Sequence, residues 1–180
     1  ARLIQKDKMN RTLILLFLLL SGGISRGQET PFESDPKRNT TATYGQILPY
    51  YEKLAAKYGE LRLLKYGMTD SGEPLHLVVV SRDRNFDPVA IRKQDRRIIL
   101  INNGIHPGEP EGIDASMMLV RDLLKAKAVP QNVVLCFIPV YNIGGGLNRG
   151  VSRANQNGPE SYGFRGNARN LDLNRDFIKT

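Results

Sequence analysis

Two short stretches of this sequence hold residues whose types and spacing suit chemistry. The first reads Asn102-Asn103-Gly104-Ile105-His106-Pro107-Gly108-Glu109-Pro110-Glu111-Gly112. His106 and Glu109 stand three residues apart, just past the apolar run Arg97 to Asn102. An imidazole nitrogen and a carboxylate oxygen both bind zinc at about 2.0–2.2 Å. Gly104 and Gly108 allow the sharp turn that would aim both side chains one way. Glu111 is a competing carboxylate, but five residues from His106 it suits that turn less well. Catalytic zinc takes three protein ligands as a rule, so this pair is part of a site. The chain has only two histidines, His76 and His106. His76 alternates within the apolar run Leu75 to Ser81 and reads as packing on a sheet face.

The second stretch reads Phe164-Arg165-Gly166-Asn167-Ala168-Arg169-Asn170-Leu171-Asp172-Leu173-Asn174-Arg175-Asp176-Phe177. A guanidinium presents a planar fork of donors that matches a carboxylate. Asn174 places an amide donor beside Arg175. Leu171 and Leu173 alternate with Asp172 and Asn174, which predicts the start of a strand over Leu171 to Phe177.

The elements that must carry these residues follow an α/β pattern. Thr43 can cap a helix to about Tyr58, with Ile47, Tyr50, Tyr51, Leu54 and Ala55 at helical spacing and Pro49 opposing its first half. Leu61 to Met68 and Leu75 to Ser81 read as strands joined at Asp70-Ser71-Gly72, an antiparallel hairpin. Arg97 to Asn102 and Val133 to Val140 are continuous apolar runs, as in strands covered on both faces. Between them, Glu109 to Lys127 reads as a helix with Ile113, Met117, Val120 and Leu124 on one face. Strand, helix, strand in succession implies a right-handed crossover and a parallel pair. His106 and Glu109 then fall at a strand's C-terminal end, where open α/β sheets bind ligands. Residues 142 to 170 show no periodicity.

Composition narrows the class. Of the 180 residues, 41% are apolar and 24% charged, close to the globular average. The single cysteine, Cys136, excludes an internal disulfide framework and a thiolate zinc cluster. The formal charge of +8 invites a nucleic-acid reading. Residues 1–27 carry five basic residues and one acidic, leaving 21 basic against 17 acidic in the remainder, with no long basic run. No nucleic-acid partner is expected. Leu13 to Leu20 form an apolar run of eight, too short for a span of about 20 residues. Lys8 and Arg11 precede it, and small residues follow at Ser21-Gly22-Gly23 and Ser25 to Gly27. This describes a secretory signal peptide cut after Gly27, with Met9 as initiator and residues 1–8 upstream of it. The protein is therefore expected to be secreted or periplasmic, without a stable membrane anchor. Residues 28–42 read as a polar linker, and 43–180 as the folded unit.

The sequence resembles the zinc carboxypeptidase family. The resemblance rests on GIHPGEPEG, on Asn142-Ile143-Gly144-Gly145 where the family often has an Asn-Pro-Asp-Gly turn, and on Arg165, Asn167, Asp172, Leu173, Asn174 and Arg175 in the pattern R-x-N-x-x-x-x-D-L-N-R. It covers about Tyr44 to Thr180. It implies an α/β fold with a mixed, partly parallel sheet and helices on both faces. It also implies Zn2+ as cofactor, with His106 and Glu109 as two of three protein ligands. Asn174 and Arg175 would grip the free C-terminal carboxylate of a peptide substrate. Arg165 would polarise the scissile carbonyl, with Arg153 a second candidate. The family's third ligand, its general-base glutamate and a substrate-binding tyrosine would lie further along a longer chain. The sequence thus reads as the N-terminal part of a catalytic domain, expected to be inactive by itself. Two other readings stand beside the peptidase: a zinc deacylase of N-acyl amino acids, and a non-catalytic binding module.

Overall fold

A computed structural model describes residues 28–151 and 158–175. The predicted signal segment and Arg153 lie outside these residues. A short helix α1 (Pro31–Ser34) precedes α2 (Tyr44–Lys57), the hairpin β1 (Leu61–Met68) and β2 (Pro74–Val80), and the short α3 (Pro88–Lys93). There follow β3 (Arg97–Asn102), α4 (Glu111–Lys125), β4 (Val133–Ile138), α5 (Ile143–Leu147) and a two-residue ladder of β5 (Arg149–Gly150) with β6 (Tyr162–Gly163). The main sheet has the order β1-β2-β4-β3. β1 and β4 both run antiparallel to β2, and β3 runs parallel to β4 with Ile99 opposite Leu135. The sheet is mixed and partly parallel, as expected.

Its faces are covered unequally. On one face α2 and α4 bury Ile47, Tyr51, Leu54, Ile113, Met117 and Val120 against Val78, Val80 and Phe137. α2 runs through Pro49. The lost backbone bond costs about 3 kcal/mol, and burial of its three apolar anchors, at about 1.5–3 kcal/mol each, outweighs it. His76 shares this face and is buried, its Nδ1 without a partner among the described residues. On the other face α3 covers Val79, Val134 and Cys136 through Ile91. The outer strand β3 stays open, with Ile98, Ile99 and Leu100 40, 46 and 58% exposed.

Residues 28–42 are anchored to α4. Thr30 and Glu33 cap α1 reciprocally, and Glu33 pairs with Arg121. The Arg121 Nη1 also donates to the Gln28 carbonyl at 3.1 Å. The buried Asp114 accepts from the Thr41 hydroxyl and from the Ala42 N–H. Burial is the main influence on the Asp114 carboxyl and raises its pKa, opposed by these donors. No helix among the described residues is long and apolar enough to cross a membrane.

Candidate active site

The loops after β3 and β4 leave the same end of the parallel pair and bind each other. The Tyr141 N–H donates to the Asn103 carbonyl at 2.8 Å and the Asn142 N–H to the Gly104 carbonyl at 3.0 Å. Gly104 takes φ 64, and a Cβ there would meet Ile113 at 3.1 Å. This turn drives residues 105–109 away from the sheet. α4 begins at Glu111, two residues later than the periodicity indicated, because residues 106–110 form a tight turn closed by Glu109 N–H to His106 C=O.

Asn142 is the joint of the site. It is buried, and its Oδ1 accepts from the Gly145 N–H at 2.8 Å, which caps α5. Its Nδ2 donates to the Arg165 carbonyl at 3.0 Å. The loop that carries Arg165 is thereby fastened to α5. Close backbone approach completes the seam. A Cβ at Gly163 would meet Pro107 at 2.5 Å, and the Gly163 N–H donates to the Pro107 carbonyl at 3.1 Å. Only glycine permits that contact.

Asp172 closes the arrangement. The His106 Nε2 lies 2.7 Å from Asp172 Oδ1, and the Arg165 Nε donates to Oδ2 at 2.8 Å. The Asn174 N–H donates to Oδ1 at 2.9 Å. The His106 bond first, then the Asn174 N–H and Arg165, hold the Asp172 carboxyl well below the usual carboxylate range. A carboxylate on Nε2 fixes the tautomer as Nε2–H, leaving the Nδ1 lone pair free. That Nδ1 lies 3.6 Å from Glu109 Oε1. Two ligands at zinc-binding distance around a tetrahedral centre are separated by about 3.4 Å. The pair therefore fits two corners of a zinc site. Among the described residues no group of three or more His, Cys, Asp or Glu converges as a metal site. The Arg165 Nη1 lies 3.8 Å from Glu109 Oε1, so the guanidinium borders the same spot.

Of the sequence-predicted residues, His106, Glu109 and Arg165 come together. Asn174 and Arg175 sit exposed beside them, with Arg175 Nη1 donating to the Asn174 carbonyl at 3.1 Å. Leu171–Arg175 are loop and turn, not the start of a strand. Asn167 Oδ1 captures the Arg169 and Leu171 N–H groups, and Asn170 takes φ 60. Such local side-chain bonds compete with strand pairing. The sequence reading gives Asp172 no site role, yet it is the D of the R-x-N-x-x-x-x-D-L-N-R pattern, between Arg165 and Asn174.

The family model for zinc carboxypeptidases matches residues 47–180. The chain belongs to the zinc carboxypeptidase family. Solved structures with a similar fold are described as carboxypeptidases. A putative carboxypeptidase A from Shewanella denitrificans OS-217 superposes with a TM-score of 0.55 at 21% identity, over 76% of this chain and 31% of that one. Carboxypeptidase A from Helicoverpa armigera gives 0.53 at 15% identity, over 79% and 33%. A metallo-carboxypeptidase from Burkholderia cenocepacia gives 0.54 at 16% identity, over 79% and 34%. At these identities the likeness is one of fold, a mixed α/β sheet with helices on both faces. The chain spans about a third of the length of these carboxypeptidases. No curated protein matches the sequence significantly.

Proposed function

We propose that this chain is the N-terminal part of the catalytic domain of an exported zinc metallocarboxypeptidase, which removes C-terminal residues from peptides. The observation that carries this is the geometry at His106. Its Nε2 is committed to Asp172, and its Nδ1 stands with Glu109 Oε1 at the separation of two tetrahedral ligands. His106 and Glu109 would hold the metal, with the third ligand supplied by the remainder of the domain. Zinc in such a site supplies Lewis acidity at neutral pH.

The chain's own residues then take the following parts. Asp172 orients the imidazole and holds Arg165 by its Nε. That leaves the two Nη groups of Arg165 to face negative charge developing on a carbonyl oxygen. Arg175 and Asn174, exposed one turn beyond Asp172, offer charge and amide to the substrate's terminal carboxylate. The proton transfers belong to a carboxylate outside this chain.

The test uses the full-length enzyme, one peptide and its C-terminally amidated twin. The free peptide should be cleaved and the twin resisted, and Arg175→Ala should erase much of that difference while zinc stays bound. His106→Ala and Glu109→Ala should each lose zinc. Equal cleavage of both peptides would defeat the carboxypeptidase reading. Hydrolysis of N-acyl amino acids with peptides untouched would install the deacylase. N-terminal sequencing of exported material should begin at Gln28. An intact N-terminus would defeat the export reading.

A further inference from the structure

The opposite end of the sheet carries a feature that catalysis does not use. β2 ends where β3 and β4 begin, with Val80 opposite Leu135 and Arg97 opposite Val133. Stretches far apart in sequence meet there. A cleft of about 640 Å³ is lined by Arg82, Asp83, Gln94, Arg96, Gln131 and Asn132. A second, of about 410 Å³, is lined by the charged Arg82, Arg84, Glu60, Lys125 and Lys127 over an apolar floor of Tyr58, Leu124 and Val129. Arg82 lines both, so the clefts adjoin.

Five cations face two carboxylates at this pole, and each carboxylate already has a partner. Glu60 pairs with Arg84 at 3.2 Å and Asp83 with Arg96 at 2.7 Å. Arg82, Lys125 and Lys127 are exposed, and none has a carboxylate within 4.0 Å among the described residues. The Arg96 side chain is 9% exposed, and its buried Nε lacks a partner. Arg84 and Lys127 take φ 60 and φ 52, where glycine is the less strained residue.

We propose that this pole is a docking surface for a linear polyanionic glycan, sulfated or carboxylated, whose successive anionic groups enter the two adjoining clefts. Guanidinium forks match sulfate and carboxylate oxygens. The carboxamides of Gln94, Gln131 and Asn132 donate and accept, which suits the hydroxyls between the charges of a glycan. No apolar side chain joins them in lining the first cleft, and in the second Leu124 and Val129 are buried in the core and Tyr58 is packed against it, so neither cleft offers the exposed apolar anchor that a lipid surface would need. The six-residue β3 separates the pole from the His106 loop by about 20 Å. A bound glycan would tether the enzyme and leave its site open.

The experiment measures a heparin dodecasaccharide binding to the full-length protein at rising salt. Replacing Arg82, Lys125 and Lys127 together by Gln should weaken binding by about tenfold or more and flatten its salt dependence. A matched triple at the exposed Lys37, Lys53 and Lys65 should change binding less than about twofold. Equal loss in the two triples would reduce the effect to net charge and overturn the proposal. Equal or tighter binding of a charge-matched DNA duplex, or of phosphatidylserine vesicles, would also overturn it. Thermal melts check folding, and if the triple melts early, single Arg82→Gln and Lys125→Gln variants carry the test. Peptide turnover should be unchanged in every pole variant. Absent turnover in the unmodified protein would count against the peptidase reading and leave the glycan result standing.

Discussion

Asp172→Ala removes the acceptor shared by His106 Nε2, Arg165 Nε and the Asn174 N–H. The imidazole is 6% exposed, so no solvent replaces that acceptor freely. The ring loses the bond that sets its tautomer and rotation. Loss of a carboxylate behind a ligating histidine lowers metal affinity by roughly 10- to 100-fold. The Arg165 guanidinium is freed at the same moment, so turnover should fall further than zinc loading does. Asp172→Asn separates the two effects. A carboxamide oxygen can still accept from one donor, but its NH2 faces the other, so only one of His106 and Arg165 keeps its bond. The assay is zinc competition against a chromophoric chelator on the full-length enzyme, paired with turnover at saturating zinc. Expected are weakened zinc binding for both variants and a turnover deficit that saturating zinc does not restore. Zinc affinity unchanged in Asp172→Ala would refute the argument that this carboxylate orients a metal ligand.

Three other outcomes follow from the fold. Arg121→Ala removes the charged partner of the Glu33 carboxylate, which keeps only the Thr30 N–H, and one of the two donors to the Gln28 carbonyl, which keeps the Tyr50 hydroxyl, and should destabilise the domain by on the order of 2 kcal/mol, read from chemical denaturation. Arg121 holds the Glu33 pKa below its ordinary 4.5, so this pair adds stability that is present above pH 4.5 and lost as pH falls through the lowered value. Glu33→Gln should flatten that acid limb in pH-dependent melts. Tyr51 is buried with a hydroxyl that has no partner among the described residues, so Tyr51→Phe should raise stability by about 1 kcal/mol; a loss would show that the hydroxyl is satisfied. Residues 28–180 expressed alone should self-associate through the open β3 edge, and Leu100→Lys should shift light scattering toward monomer; a monodisperse parent would contradict this.

Periodicity and residue chemistry were sufficient for much of the scaffold. The runs at 97–102 and 133–138 are strands and 111–125 an amphipathic helix, as their apolar spacing indicated, although the strand at 97–102 lies open where its run predicted cover on both faces. Placing His106 and Glu109 past a strand's C-terminal end needed only that local reading and the handedness of the crossover. The family resemblance carried the roles given to Arg165, Asn174 and Arg175. Residues 142–170 looked featureless because α5 is five residues long and β5 and β6 are two each, below the length at which a period shows. The anchoring of 28–42 was equally hidden, since it depends on Arg121 and Asp114, some 70 to 90 positions away. Which strand lies beside which was decided in three dimensions, with β2 inserted between β1 and β4. So was the partner of His106. Asp172 is 66 residues away, and reaches it because Asn142 fastens the later loop to α5 and a glycine lets Gly163 touch Pro107. Local pattern encodes which face a residue turns to the core, whereas a hydrogen bond between distant loops exists only once the packed faces have brought those loops together.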